Sequence, residues 1–263
     1  MPRYALVTGA SSGIGLALAE ALARRGRNLI LVARQRDVLE SVACEFAQRF
    51  GVEVLFRTCN LAHPTQLTGL IHELEQDDAP HIDLLVNNAG LGTSGPFLDS
   101  DWGREQQQLE VNLLALTRLC HAIGNRMALQ GGGQILNVAS VAAFQPGPWM
   151  SSYYAGKAYV LHLSEGLREE LKGRGVKVSV LCPGPTRTAF FRGAAMEMGK
   201  LANSKLMMNA EELALYTVRA LDKNRAIIIP GWRNRLAARS SRFAPRWLVR
   251  KLAGAINQRF TAH

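Results

Sequence analysis

The stretch that decides the fold is Tyr4-Ala5-Leu6-Val7-Thr8-Gly9-Ala10-Ser11-Ser12-Gly13-Ile14-Gly15, followed by the run Leu16-Ala17-Leu18-Ala19-Glu20. The opening residues are apolar without polar alternation, as in a strand buried on both faces of a parallel sheet. The Ala- and Leu-rich run after Gly15 reads as a helix. Three glycines therefore fall at a strand-to-helix turn. Gly9 permits a tight turn, Gly13 lets the backbone approach a pyrophosphate, and Gly15 lets the helix pack close to the sheet. The helix N-terminus, with free N–H groups and a positive dipole end, points at the phosphates. Ser11, Ser12 and Ile14 complete a loop built to hold a dinucleotide.

Outward from this turn the alternation continues. Strands are expected at Tyr4–Val7, Asn28–Val32, Val52–Arg57, Ile82–Val86, Gln134–Val138, Val176–Leu181 and Ala226–Ile229. Helices are expected at Gly13–Arg25, Gln35–Arg49, Pro64–Glu75, Asp99–Leu129, Ser152–Lys172 and Ala210–Leu221. Strand-helix alternation at this period predicts right-handed βαβ units. The expected fold is α/β: one doubly wound Rossmann-type domain, with a parallel sheet of about seven strands and helices on both faces. The catalytic domain is expected to span 1–229, with a substrate lid at 186–209. A basic amphipathic extension, 230–263, follows, with two helix-like pieces split at Pro245.

Composition narrows the class. The 263 residues are 48% hydrophobic, enough for a large core, which excludes global disorder. No apolar run approaches a membrane span. The chain passes from Met-Pro-Arg-Tyr straight into a strand-like run, without the regions of a signal peptide, so a cytoplasmic protein is expected. Cys44, Cys59, Cys120 and Cys182 lie far apart, without ligand spacing to a His. That excludes a zinc or disulfide framework and leaves reduced thiols and no metal. The net charge is +10, from 31 basic and 21 acidic residues. Arg233, Arg235, Arg239, Arg242, Arg246, Arg250, Lys251 and Arg259 fall after Pro230, a stretch with no Asp or Glu. The body is thus nearly neutral and the extension carries the basicity.

The end of the second strand bears on which dinucleotide is bound. An NAD site usually places an acid there for the ribose 2′-hydroxyl. Here the sequence reads Leu31-Val32-Ala33-Arg34. A small neutral residue removes repulsion and a guanidinium suits a 2′-phosphate, so NADP(H) is expected, with Arg34 on the phosphate. The third strand ends Cys59-Asn60-Leu61. Asn60 either bonds the adenine amino group or serves a turn, and both readings stay open.

Four further pieces occur in order: Asn87-Asn88-Ala89-Gly90, Asn112, Ser140 and Tyr153-x-x-x-Lys157. A Tyr-x-x-x-Lys spacing alone is unspecific. With Ser140 thirteen residues before the tyrosine and the glycine turn at the start, the sequence resembles the short-chain dehydrogenase/reductase family. The resemblance spans about Arg3 to Ile229. It adds Pro183-Gly184-x-Thr186-x-Thr188 as the nicotinamide-side motif. It implies that Tyr153 is the general acid/base, that Ser140 bonds the reacting oxygen, and that Lys157 also holds the ribose. It implies too that Asn112 holds a water linking Lys157 to solvent. On physical grounds, Tyr153 and Lys157 share one helix face, and a neighbouring ammonium is expected to lower the phenol pKa. Tyr154, at i,i+3 from Lys157, is not excluded by spacing; the interval from Ser140 and the family motif select Tyr153. Asn87, Asn88 and Gly90 shape the strand end facing the cofactor or form a tight turn only; Asn88, Ala89 and Gly90 are counted with the cofactor-binding residues.

On the substrate side, Phe144, Pro146, Pro148, Trp149 and Met150 are expected to border the crevice. Phe190, Phe191, Met196, Met198, Met207 and Met208 are expected to border it too, or to pack together as a lid. An apolar lining suits a lipophilic carbonyl or alcohol. The extension has three readings: a cover for the cleft or a subunit contact, a peripheral contact with an anionic membrane surface such as the inner face of the cell membrane, or, with no motif in support, nucleic-acid binding. The resemblance implies a homodimer or homotetramer. A non-catalytic sensor on the same fold would be expected to lack the tyrosine, lysine or serine, and a sugar epimerase would need a larger C-terminal domain.

Overall fold

The computed structural model describes residues 2–188, 190, 194, 207–240 and 243–259. The strands are β1 (Arg3–Thr8), β2 (Asn28–Ala33), β3 (Val54–Thr58), β4 (His81–Asn87), β5 (Gly133–Val138), β6 (Val176–Leu181) and β7 (Ile227–Ile228). Between them run α1 (Gly13–Ala23), α2 (Arg36–Phe50), α3 (Pro64–Glu75), α4 (Trp102–Leu109), α5 (Leu116–Leu129), α6 (Ser151–Glu170) and α7 (Ala210–Asp222). The extension folds as α8 (Trp232–Ser240) and α9 (Arg246–Gln258), with Pro245 as the α9 N-cap.

Every strand pair is parallel, in the order β3-β2-β1-β4-β5-β6-β7. Strands of this kind are apolar on both faces, and two buried clusters result. One holds Leu6, Ile30, Leu85 and Val178 against α3, α5 and α6, with Leu70, Leu119 and Val160. The other holds Ala5, Leu31, Val86 and Leu136 against α1, α2 and α7, with Leu18, Leu39 and Leu213. The chain winds outward from β1 in one direction and from β4 in the other. The crevice beyond their C-terminal ends is the switch point where such sheets bind ligands. That crevice receives the glycine turn after β1 and the Asn-Asn-Ala-Gly turn after β4.

Several boundaries differ from the sequence reading. The third strand begins at Val54, while Val52 is buried ahead of it. The seventh is only two residues long. The expected helix over Asp99–Leu129 starts at Trp102, because the Asp101 side chain accepts from the Arg104 N–H at 3.0 Å and caps it. Its middle, Glu110–Ala115, is wound as a π-helix around Asn112. Such turns interrupt α-helices frequently at functional sites.

Candidate active site

The glycine turn is locked to the end of β4 by one buried hydroxyl. Thr8 Oγ1 accepts from the N–H groups of Asn88 and Ala89, each at 3.0 Å. The Asn88 amide returns a bond to the Thr8 carbonyl at 3.0 Å. Gly9 has φ +66, the left-handed region that glycine adopts without strain. Gly15 sits behind the turn, where a Cβ would overlap the Gly9 carbonyl oxygen and Asn88 Nδ2. The turn is thus packed from behind; the Gly9 and Ala10 N–H groups donate to the Val32 carbonyl at 2.8 and 3.3 Å, and those of Ser11 to Ile14 are left without a partner among the described residues. Thr8 was not singled out from the sequence, since a threonine closing an apolar strand carries no signal of its own.

A single cavity of about 660 Å³ opens at this switch point. At one end it is lined by Gly9, Ser11, Ser12, Gly13, Ile14, Arg34, Asn60 and Leu61. Asn88, Ala89, Gly90, Ser140, Tyr153 and Lys157 line its middle, with Pro183, Gly184, Thr186 and Thr188 on the β6 side. The sequence-predicted residues therefore converge, except two that act from behind. Gly15 supports the turn. Asn112 bonds both backbone groups of Leu91, accepting from its N–H at 2.9 Å and donating to its carbonyl at 2.8 Å. The Asn112 side chain is thus seen pinning the loop after β4, and Gly90 lies close to both Asn112 Oδ1 and Lys157 Nζ.

No Asp or Glu is among the described residues lining the cavity; the charged ones are Arg34 and Lys157. Arg34 is exposed at the rim beside buried Ala33, and its guanidinium has no partner among the described residues. At Asn60 the turn role is the one observed: its side-chain oxygen accepts from the Ala62 N–H at 3.2 Å.

Around Tyr153 the polar groups are few. Ser140 is the side chain that favours ionisation of its hydroxyl, and Ser140 Oγ accepts from the Ala142 N–H at 3.1 Å. Lys157 is buried, donates to the Val138 carbonyl at 2.9 Å, and lies 5.7 Å from the Tyr153 ring centre. Burial lowers the Lys157 ammonium to about 8, with buried Cys182 opposing. Burial raises the Tyr153 phenol, and Ser140 opposes that rise. This corrects the expectation of a lowered phenol pKa. Removing the phenolate from water outweighs an ammonium that is itself desolvated and turned to a carbonyl. Tyr153 is therefore a protonated donor at neutral pH in this state.

The substrate end is closed by parts distant in sequence. Phe190 lies 5.4 Å from the Tyr153 ring and abuts Gly92. Met150 lines the wall, whereas Phe144 packs against the core behind it. Phe191, Met196 and Met198 lie outside the described residues. The Tyr154 hydroxyl donates to Asn257 Oδ1 at 3.1 Å, and the Asn257 amide donates to the Pro148 carbonyl at 2.9 Å. Ile256 and Asn257 of α9 thereby become cavity wall, together with Gln107 and Gln145. The covering role of the extension is thus observed for α9. Asn257 was missed because its partner Tyr154 is 103 residues away and no local pattern links them.

The residues present fit a dinucleotide. The turn offers the N–H groups of Ser11 to Ile14, Arg34 at the rim has no partner among the described residues, and the cavity is continuous from there to Tyr153. Comparison with known proteins agrees. A family model described as short chain dehydrogenase matches residues 3–198. A 1-deoxy-11-beta-hydroxypentalenate dehydrogenase of Streptomyces exfoliatus is 34% identical over 226 residues, covering 85% of this chain and 81% of that protein. A short-chain dehydrogenase from Sphingobium yanoikuyae, solved in complex with NADPH, is 36% identical with TM-score 0.82, covering 88% of this chain and 89% of that one. A short-chain dehydrogenase/reductase from Burkholderia phymatum, solved with NAD, is 26% identical with TM-score 0.79, covering 90% and 92%.

Proposed function

Because the chain belongs to the short-chain dehydrogenase/reductase family, and is an oxidoreductase of that type, we propose that it interconverts a carbonyl and an alcohol on a lipophilic small molecule with NADP(H). The observation that carries this reading is one continuous cavity that runs from Arg34, which has no partner among the described residues, to Ser140, Tyr153 and Lys157. The bound dinucleotide supplies or accepts the hydride. Gly9, Ser11, Ser12, Gly13 and Ile14 hold its pyrophosphate, and Arg34 holds the 2′-phosphate. Leu61, Ala89, Gly90, Pro183, Gly184, Thr186 and Thr188 border the rest.

Tyr153 donates its phenolic proton to the carbonyl oxygen during reduction and recovers one from the alcohol during oxidation. Ser140 bonds the same oxygen and holds it against the tyrosine. Lys157 adds positive charge where negative charge grows on Tyr153. Asn112 fixes the wall beside them. The relative that binds NADPH supports the cofactor assignment, and the relative that binds NAD makes it a property to be measured on this chain. The substrate class rests on the wall of Phe190, Met150, Tyr154 and Ile256, none of which bears a charge.

A panel of carbonyls and alcohols, followed by NADPH absorbance, tests the activity. Tyr153→Phe should lower kcat by roughly 100-fold or more, the usual share of general acid catalysis, with cofactor binding retained. Tyr154→Phe should change kcat far less. Comparable losses in both, or normal turnover in Tyr153→Phe, overturn the assignment.

A further inference from the structure

Residues 232–240 and 243–259 carry an unusual outer surface. On α8, Asn234 and Ala238 face the body, with Ala238 buried. Trp232 and Leu236, one turn apart, point the other way and are 64% and 62% exposed. Arg233 lies on one flank of this pair, and Arg235 and Arg239 on the other. On α9, Val249, Ala253 and Asn257 face the protein, while Leu248, Leu252 and Ile256 form an exposed ridge at four-residue spacing. Trp247 and Phe243 are exposed beside it. Arg246, Arg250, Lys251 and Arg259 are exposed as well, and none of these helix cations pairs with a described carboxylate.

We propose that these exposed sides of α8 and α9 dock together on an anionic bilayer surface, with Trp232, Leu236, Leu248 and Leu252 inserted and the cations on lipid phosphates. The ridge ends at Ile256, which is also cavity wall. Substrate dissolved in the bilayer thus enters the cavity along α9, a step that rests on the lipophilic-substrate reading above. Interleaved apolar and basic residues are the composition of interfacial helices. A second copy of this chain fits the face poorly. A two-fold contact brings a patch against itself, and here cations would meet cations with no acid between 230 and 263 to offset them. Nucleic acid would use the cations but leave the leucine ridge in water.

The test uses the full chain and co-sedimentation with phosphatidylglycerol/phosphatidylcholine vesicles against phosphatidylcholine alone. The chain should pellet with the anionic vesicles at low salt and be released as salt rises. Arg233→Gln/Arg235→Gln/Arg239→Gln should weaken partitioning roughly tenfold or more. Leu236→Ser/Leu252→Ser should weaken it at unchanged charge. Both variants should keep the parent melting temperature and its turnover of a small soluble carbonyl. Equal binding to both vesicle types, no binding at low salt, or undiminished binding by both variants overturns the proposal. So does a fall in molecular mass of the leucine variant, or displacement from vesicles by DNA with equal affinity. Vesicle binding is read without turnover. Binding without turnover of any carbonyl or alcohol would leave the docking surface standing and remove the proposed function. Turnover without binding would do the reverse.

Discussion

Two cationic residues lie along the cavity, in opposite environments. Arg34 is exposed, with no partner among the described residues; Lys157 is buried and bonded to the Val138 carbonyl. Arg34 should therefore affect specificity at no cost to the fold. Ala33→Asp/Arg34→Leu should weaken NADPH binding by roughly tenfold or more, the worth of one charged hydrogen bond, and improve NADH binding. A titration of each cofactor by fluorescence checks this, and tighter binding of NADH by the parent chain would contradict it. Lys157 should weigh on stability instead. Its ammonium is lowered from 10.5 to about 8. Below about 8 it is charged in both states, and the folded state carries the burial penalty. Between about 8 and 10.5 the unfolded state binds more protons, so stability from this group rises with pH. The penalty at neutral pH is about 3 kcal/mol, partly offset by the bond to Val138. Lys157→Met should thus abolish turnover yet raise Tm at pH 7 by roughly 2–4 °C. The gain should fade toward pH 10.5. A melting series across pH reads this directly, and a lower Tm at pH 7 would show that the ammonium contributes net stability.

At the scale of elements, the strand-turn-helix at the start of the chain was fully legible, because its glycines answer to steric needs that the sequence displays. Gly15 is the plainest case. A Cβ there would strike both the Gly9 carbonyl and Asn88. Gly15→Ala should cost about 1–3 kcal/mol by overpacking and weaken cofactor binding as the turn is pushed from β4. A denaturant melt beside a cofactor titration separates the two effects, and an unchanged midpoint would deny the close packing. The π-turn at Glu110–Ala115 was not legible. One added residue within a helix alters neither composition nor apolar period, and only the paired bonds from Asn112 to Leu91 account for it. The placement of α9 was legible in outline alone. Its basic, apolar composition left a cleft cover or subunit contact, a membrane surface and nucleic acid all open, and the Tyr154–Asn257–Pro148 chain that fixes it joins segments about a hundred residues apart. The raised phenol of Tyr153 was read with the wrong sign. Spacing reveals the neighbouring ammonium and says nothing of burial, which is the larger effect.

For the molecule as a whole, the distribution of surface assigns different tasks to different faces. Among the described residues no helix is long and apolar enough to cross a membrane. The extension's surface combines apolar side chains with cations that pair with no described carboxylate, whereas the outer face of α5 and α6 is of another kind. Leu114 is 54% exposed and Tyr159 40%, the Tyr159 hydroxyl is 2.9 Å from Thr117 Oγ1, and Ala155 lies one turn before Tyr159. Basic Arg118 and His121 follow on α5, while acidic Glu165 and Glu169 follow on α6, all exposed. Under a two-fold axis such a face can match itself, apolar centre to apolar centre and base to acid, as an isologous interface requires. The inner faces of both helices are already committed to the sheet, so this surface is best covered by a second subunit. We expect a dimer at micromolar concentration by light scattering. Leu114→Arg places a like charge against itself across the axis and should raise the dimer dissociation constant by roughly tenfold or more, with the melting temperature of the monomer little changed. A monomeric parent chain, or a Leu114→Arg variant with undiminished mass on dilution, would move the subunit contact away from these helices.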